Sequence, residues 1–314
     1  MERSRRHPVW TAGLAALGAL CLARRARAQA GLTAAQILTR PYSARAIGMG
    51  GAFSAIQDAG LDSLGYNPAG PASLRATDVE TAYSAGVFGD NFGFFGAAVP
   101  AGPVVLSGGY LYDNAGTIDL NLSNGTQGNV TAEEDMVGLF GASVPLDWGL
   151  SVGAVGKYMH LTLAQQATAT SFAADAGALW RTPLKGLSVG AAVQNMGPDV
   201  TYEKVGDPLP LSERVGAAYH LPWAEYSHGM FDFIQGYEFA ADLVKVRDQS
   251  SYGALGAEIE SALLDLRVGY DVDASPQTLS LGFGIKERGF RFDYAMNLMG
   301  DLGEVHHVSV GYRF

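Results

Sequence analysis

The sequence predicts an all-β fold: an antiparallel transmembrane β-barrel of about fourteen strands. Three observations carry this reading. They are an export leader, an alternation of apolar with small or polar residues that recurs from Val79 onward, and a last strand that ends on Phe314.

The leader comes first. Arg3, Arg5 and Arg6 form a basic stretch, Val9 to Ala23 an apolar one too short to span a bilayer, and small residues follow. Residues 1–30 therefore read as a signal peptide removed after Ala28 or Ala30. A twin-arginine signal fits poorly, because His7-Pro8 follows Arg5-Arg6. Removing the leader's six arginines and Glu2 from 21 basic and 31 acidic residues leaves 15 against 30. So acidic a chain disfavours nucleic-acid binding. Its one cysteine, Cys21, lies in the leader, so thiol and disulfide chemistry are not expected downstream. After the leader no apolar run reaches the length of a transmembrane helix.

What favours a barrel over a soluble sandwich is the alternation. Leu187, Val189, Ala191 and Val193 alternate with Ser188, Gly190, Ala192 and Gln194; Leu264, Leu266, Val268 and Tyr270 alternate with Asp265, Arg267, Gly269 and Asp271. A face rich in glycine and charge suits a lumen, and the apolar face suits lipid. The strands fall at 79–87, 92–99, 103–112, 136–144, 149–163, 170–180, 186–195, 212–221, 236–246, 251–260, 263–271, 277–285, 288–296 and 305–314. An even number closes the sheet with both ends on one side, and closure is required because an open edge in lipid leaves amides unsatisfied. The connections agree: those around 100, 145, 181, 261 and 286 are short and read as periplasmic, while 113–135 and 196–211 are long and read as extracellular. The connection 222–235, with Trp223, Tyr226, Phe231 and Phe233, is long on the short side. It reads as an interfacial aromatic anchor or as a missed pair of strands. The terminal strand, with Val308, Val310, Tyr312 and Phe314 on one face, is similar to the ending that barrel-assembly machinery reads in outer-membrane proteins.

Residues 31–76 precede the barrel at 77–314 and do not alternate. Gly48, Gly50 and Gly51 suggest a phosphate loop only superficially, since no strand precedes them and no lysine follows. The stretch SARAIGMGGAFSAIQDAGLDSLGYNPAGPASL, Ser43 to Leu74, resembles the N-terminal signature of the PorV/PorQ family, within the FadL-like outer-membrane transport barrels. LSVGAVGKYMH at 150–160 and LSVGAAVQNMGPDV at 187–200 agree with it. The resemblance implies that 31–76 folds inside the lumen as a hatch. Gly48, Gly50, Gly51, Phe53, Asn67, Pro68, Ala69 and Gly70 are then its gating candidates, and Phe53, Ile56, Leu61 and Leu64 line an apolar route. The alternative is that these residues only pack the plug against the wall. The chain departs from the family in following Asp58 with Ala59-Gly60, and it leaves little sequence for extracellular ligand-collecting helices.

Two functions follow from the resemblance: passage of a hydrophobic solute across the outer membrane, or type IX secretion, in which such barrels carry cargo proteins to a surface attachment complex. The expected partners are outer-membrane lipid, the assembly machinery, and either the solute or the cargo. The histidines are scattered and no catalytic constellation stands out, so neither an enzyme, a cofactor nor a metal is expected. The loop bearing Asp119, Asn121, Asn124, Asn129, Glu133, Glu134 and Asp135 has oxygen ligands for calcium, but such runs are more often solvated surface.

Overall fold

Alternation along the chain becomes a closed sheet. A computed structural model describes residues 33–86, 89–121, 127–223, 233–274 and 276–314. The leader and its cleavage site, Asn124, and Tyr226 and Phe231 of the aromatic connection lie outside the described residues. The described strands are β1 (Asp78–Ala85), β2 (Asn91–Ala101), β3 (Val104–Asn114), β4 (Thr117–Asn121), β5 (Gln127–Thr131), β6 (Glu133–Pro145), β7 (Leu150–Leu163), β8 (Ala167–Arg181) and β9 (Leu187–Met196). They continue with β10 (Val200–Thr201), β11 (Gly206–Asp207), β12 (Ser212–Leu221), β13 (Ile234–Val246), β14 (Tyr252–Ser261), β15 (Leu264–Val272), β16 (Leu279–Glu287), β17 (Phe290–Leu298) and β18 (Glu304–Arg313).

Fourteen of these close an antiparallel barrel in which β1 pairs with both β2 and β18, Asp78 lying opposite Arg313. All fourteen expected segments are present, their ends shifted by three residues at most. The other four strands are hairpins inside the two long connections, β4 with β5 and β10 with β11, where the sequence alone predicts loops. The short turns gather at the end of the barrel where β1 begins and β18 ends.

Outward side chains make an apolar belt. Phe95, Phe140, Tyr158 and Phe172 are 58%, 68%, 63% and 65% exposed, and a soluble monomer does not leave so broad an apolar surface bare. Lipid covers it, and the closed ladder satisfies the amides that lipid cannot.

The inward face is of two kinds. From β12 to β18 it is polar, with Asp242, Glu258, Arg267, Asp293 and Ser309 buried. Across β2, β3, β6 and β7 it is largely apolar: Phe92, Phe94, Leu111, Val137, Leu139, Met159 and Leu161 are buried, with Ser107 and Asp113 of β3 and Asp135 and Ser143 of β6 on the same face. The second kind departs from the expected small or polar lumen. Its cause is the segment preceding β1, whose Ile37, Tyr42, Leu61 and Leu64 pack on this wall and keep water from it.

That segment is built from single turns: Gln36–Thr39, the short helix α1 (Ala44–Gly48), Gly60–Ser63 and Gly70–Ser73. The Ser43 hydroxyl caps α1 by accepting from Ala46 N. Gly50 and Gly51 end it at φ 63° and 71°, donating to Ile47 O and Ala46 O in a Schellman arrangement. A side chain at either position would be strained, which accounts for the glycine cluster without any phosphate loop.

Candidate functional site

The seat of the inner segment on the barrel wall brings the sequence-selected residues together in three places. Under α1, Ala44 N donates to Ser309 Oγ at 2.7 Å. Arg45 binds Glu258 through two hydrogen bonds, of 2.8 and 3.2 Å, and Arg267 donates to the same carboxylate at 2.6 Å and to Asp293 at 2.6 Å. The Ser43 hydroxyl donates to Asp62, whose other oxygen lies 3.4 Å from Arg291. Burial acts to raise the Asp62 pKa, but Arg291, Arg45, the Ser43 hydroxyl and Arg267 together outweigh it. The carboxyl is held below its ordinary value. Arg291 and Arg313 both reach Asp78 at the start of β1, at 3.0 and 2.9 Å.

The second contact holds the stretch after α1. Phe53 N and Ser54 N both donate to Asp242 Oδ2, at 3.1 and 3.0 Å; Arg214 donates to Gly51 O at 3.2 Å, and Ser188 Oγ to Ala55 O at 2.7 Å. Close approach here needs glycine on the wall as well. A Cβ on Gly269 would sit 2.5 Å from Gly50 Cα, and one on Gly256 would sit 2.5 Å from Met49 O. A Cβ on Gly48 would sit 3.3 Å from the Cα of Gly282.

The third is the Asn67-Pro68-Ala69-Gly70 turn. The Asn67 side-chain amide donates to Ser54 O at 2.7 Å and to Ala178 O on β8 at 2.9 Å, while its oxygen accepts from Ala69 N at 3.0 Å. One side chain thus ties the turn to itself, to the neighbouring stretch and to the wall. Gly153 and Gly177 lie under Pro68 and Asn67, leaving space that a methyl group would fill.

Phe53, Ile56, Leu61 and Leu64 do not share one channel. Phe53 and Ile56 pack with Met49, Tyr66 and Leu179, whereas Leu61 and Leu64 belong to the apolar wall of β2 to β8. A void of about 20 Å³ lies in that second cluster, between Leu38, Tyr42 and Leu64 of the segment and Leu111, Leu139 and Val155 of the wall, with Arg40, Lys157 and Asp175 also lining it. On the short-turn side a cavity of about 580 Å³ is lined by charge, including Arg45, Arg181, Glu238, Asp265, Lys286 and Arg313. Val308, Val310, Tyr312 and Phe314 lie along the β18 end of the chain, with Phe314 74% exposed and its N donating to Thr77 O at 3.0 Å. The acidic loop is spread out: Asp119 faces Asn129 across the β4–β5 hairpin, and Glu133 to Asp135 open β6.

The sequence shows the inward charges of β15 but not the ion pairs of the lumen, because partners such as Arg291 and Asp62 are 229 residues apart. A lone Arg or Asp on the glycine-rich face of a strand, facing an unalternating segment with its own Arg45 and Asp62, was the available signal.

No family model matches the chain, and no curated protein matches it. Solved structures do match. The toluene transporter TodX of Pseudomonas putida superposes with a TM-score of 0.61 at 13% identity, over 87% of this chain and 96% of that one. A mutant of the TodX monoaromatic hydrocarbon channel gives 0.60 at 13% identity, over 86% and 97%. At such identity the likeness is one of fold, and this chain has the barrel architecture of those channels.

Proposed function

We propose that the protein is a FadL-like outer-membrane barrel, of PorV/PorQ type, that passes hydrophobic small molecules, with residues 31–76 as the hatch that gates it. The observation that carries this is the apolar inward wall of β2, β3, β6 and β7. A water-filled pore has a polar interior, whereas here Phe92, Phe94, Leu111, Val137, Leu139, Met159 and Leu161 face inward. Such a wall offers an apolar solute a surface equivalent to the one the segment's Ile37, Tyr42, Leu61 and Leu64 now cover. The fold shared with a toluene transporter supports the same reading.

Passage then requires the segment to yield. Its fastenings are polar and local: Asn67 on Ala178 O, Asp242 on two amides, Arg45 on Glu258. These are bonds that a solute entering between Leu64 and Leu139 can loosen by taking over the apolar contacts. Native mass spectrometry of protein extracted gently from membranes tests the reading. A retained apolar molecule of defined mass supports it. A retained protein partner without any such molecule would replace it with the cargo-carrying role in secretion.

A further inference from the structure

The charged cavity at the short-turn mouth contains a group of side chains that solute passage does not use. His220 on β12, Glu238 on β13 and Glu260 on β14 come from three consecutive barrel strands, and their ligand atoms all lie within 4.8 Å of one another. We propose that these three residues bind a divalent transition-metal ion of the zinc class at the mouth of the lumen.

The placement follows from register. His220 is directly opposite Glu238 across the β12–β13 ladder, and Glu260 is paired with Gly236, two residues before Glu238 on the same strand face. Neighbouring strands are about 4.8 Å apart, so the three side chains project into the lumen as one cluster, beside a register shift between Ile234 and Gly236 on β13. An ion about 2.1 Å from each of three donors needs donor separations of roughly 3–4 Å, which small rotations of these chains supply. His220 Nδ1 already lies 3.0 Å from Glu238 Oε2.

Gly236 leaves room for the ring. A Cβ there would sit 2.9 Å from His220 Cε1 and 3.3 Å from Nε2. The cavity's basic side chains are largely engaged away from this cluster. Arg45 and Arg267 are committed to Glu258 at 2.8 and 2.6 Å, and Lys286 pairs with Asp265 at 2.9 Å. Among the described residues Glu260 has one ion-pair contact, with Arg45 at 3.7 Å, beyond hydrogen-bonding distance, and Arg181, Arg291 and Arg313 of the same lining pair with Asp58 and Asp78. All three line the 580 Å³ cavity, so coordination positions not taken by protein face water or solute. An imidazole nitrogen beside two carboxylates selects borderline ions such as Zn²⁺ over Ca²⁺ or Mg²⁺, which take oxygen alone.

The test is isothermal titration of Zn²⁺ into the full barrel, purified in detergent and first stripped with chelator, alongside its thermal unfolding. The expected result is one saturable site per chain, a rise in Tm with Zn²⁺, and affinity lowered at least tenfold in both His220→Ala and Glu260→Gln. His306→Ala, in β18, leaves binding unchanged. Absence of a one-to-one site would overturn the proposal. So would undiminished affinity in correctly folded His220→Ala and Glu260→Gln, or Ca²⁺ binding as tightly as Zn²⁺ at the same residues. Because the readouts are heat and unfolding, neither depends on whether the barrel passes apolar solutes.

Discussion

Replacing Asn67 with alanine should release the inner segment while leaving the barrel closed. The side chain makes three hydrogen bonds in a site where it is 1% exposed, to Ser54 O, to Ala178 O and from Ala69 N. Alanine leaves Ser54 O and Ala69 N without these partners and takes a second donor from Ala178 O, which sits in the β7–β8–β9 ladder. At about 1 kcal/mol net for each of the three bonds lost, docking is weakened by about 3 kcal/mol. At about 1.4 kcal/mol per factor of ten, the population with the turn undocked rises about 100-fold. Hydrogen exchange in detergent reads this directly: amides in 43–74 should exchange about 100-fold faster, while those of β13 to β15 keep their protection. Asn67→Asp should behave alike, since a carboxylate cannot donate to Ser54 O or Ala178 O. Unchanged exchange in 43–74 would refute the claim that this turn fastens the segment, and loss of protection throughout the barrel would show that Asn67 serves overall folding instead.

Other perturbations act on the same seat. Gly269→Val should drive Gly50 off the wall at about 1–3 kcal/mol of overpacking, measured as faster exchange around 48–56. Gly93→Ala, whose Cβ would meet only Ala82 O at 3.9 Å, should be silent. Asp62 lies in the inner segment, outside any spanning strand, and its pKa is lowered by its arginines despite burial. Its contribution is therefore complete above the ordinary carboxylate range and lost as pH falls through the lowered value. Segment protection should hold from pH 8 to about 5 and fall below about pH 4, with a smaller drop in Asp62→Asn. Phe314→Ala should lower the yield of assembled barrel in cells while barely changing the Tm of refolded protein, because the ring is 74% exposed and contacts chiefly Tyr312; an equal loss in both would make its role one of stability.

The strands were legible because a side-chain period of two survives in every spanning segment, whatever the strand's length. β15, with Leu264, Leu266, Val268 and Tyr270 alternating against Asp265, Arg267, Gly269 and Asp271, is readable without any partner strand. The hairpins at Thr117–Thr131 and Val200–Asp207 were not, since two to five residues are too few to show a period. The glycine run at 48–51 was readable as something other than a lipid-facing strand, yet its seat against Gly269 and Gly256 depends on contacts some 200 residues away that no local pattern encodes. The double apolar character of Phe92, Phe94 and Phe95 on β2 was in plain view, but only the burial of Phe92 and Phe94 beside an exposed Phe95 shows that both faces are covered, one by the segment and one by lipid. The His220, Glu238 and Glu260 cluster joins three strands, so only register could reveal it.

The central claim is that solute passes only when the inner segment leaves the wall, and the geometry allows the segment to be locked reversibly. A Cβ on Gly177 would lie 3.1 Å from Asn67 Cγ, about the distance from a Cβ to the far sulfur of a disulfide, with Pro68 Cδ, 2.8 Å from the same Cβ, shifting to admit it, and the chain's one cysteine is Cys21. Uptake of a monoaromatic hydrocarbon into vesicles carrying Asn67→Cys/Gly177→Cys should be lost on oxidation and restored by a reductant, the reduced variant serving as its own control. Equal uptake with the bond formed and broken would contradict the account.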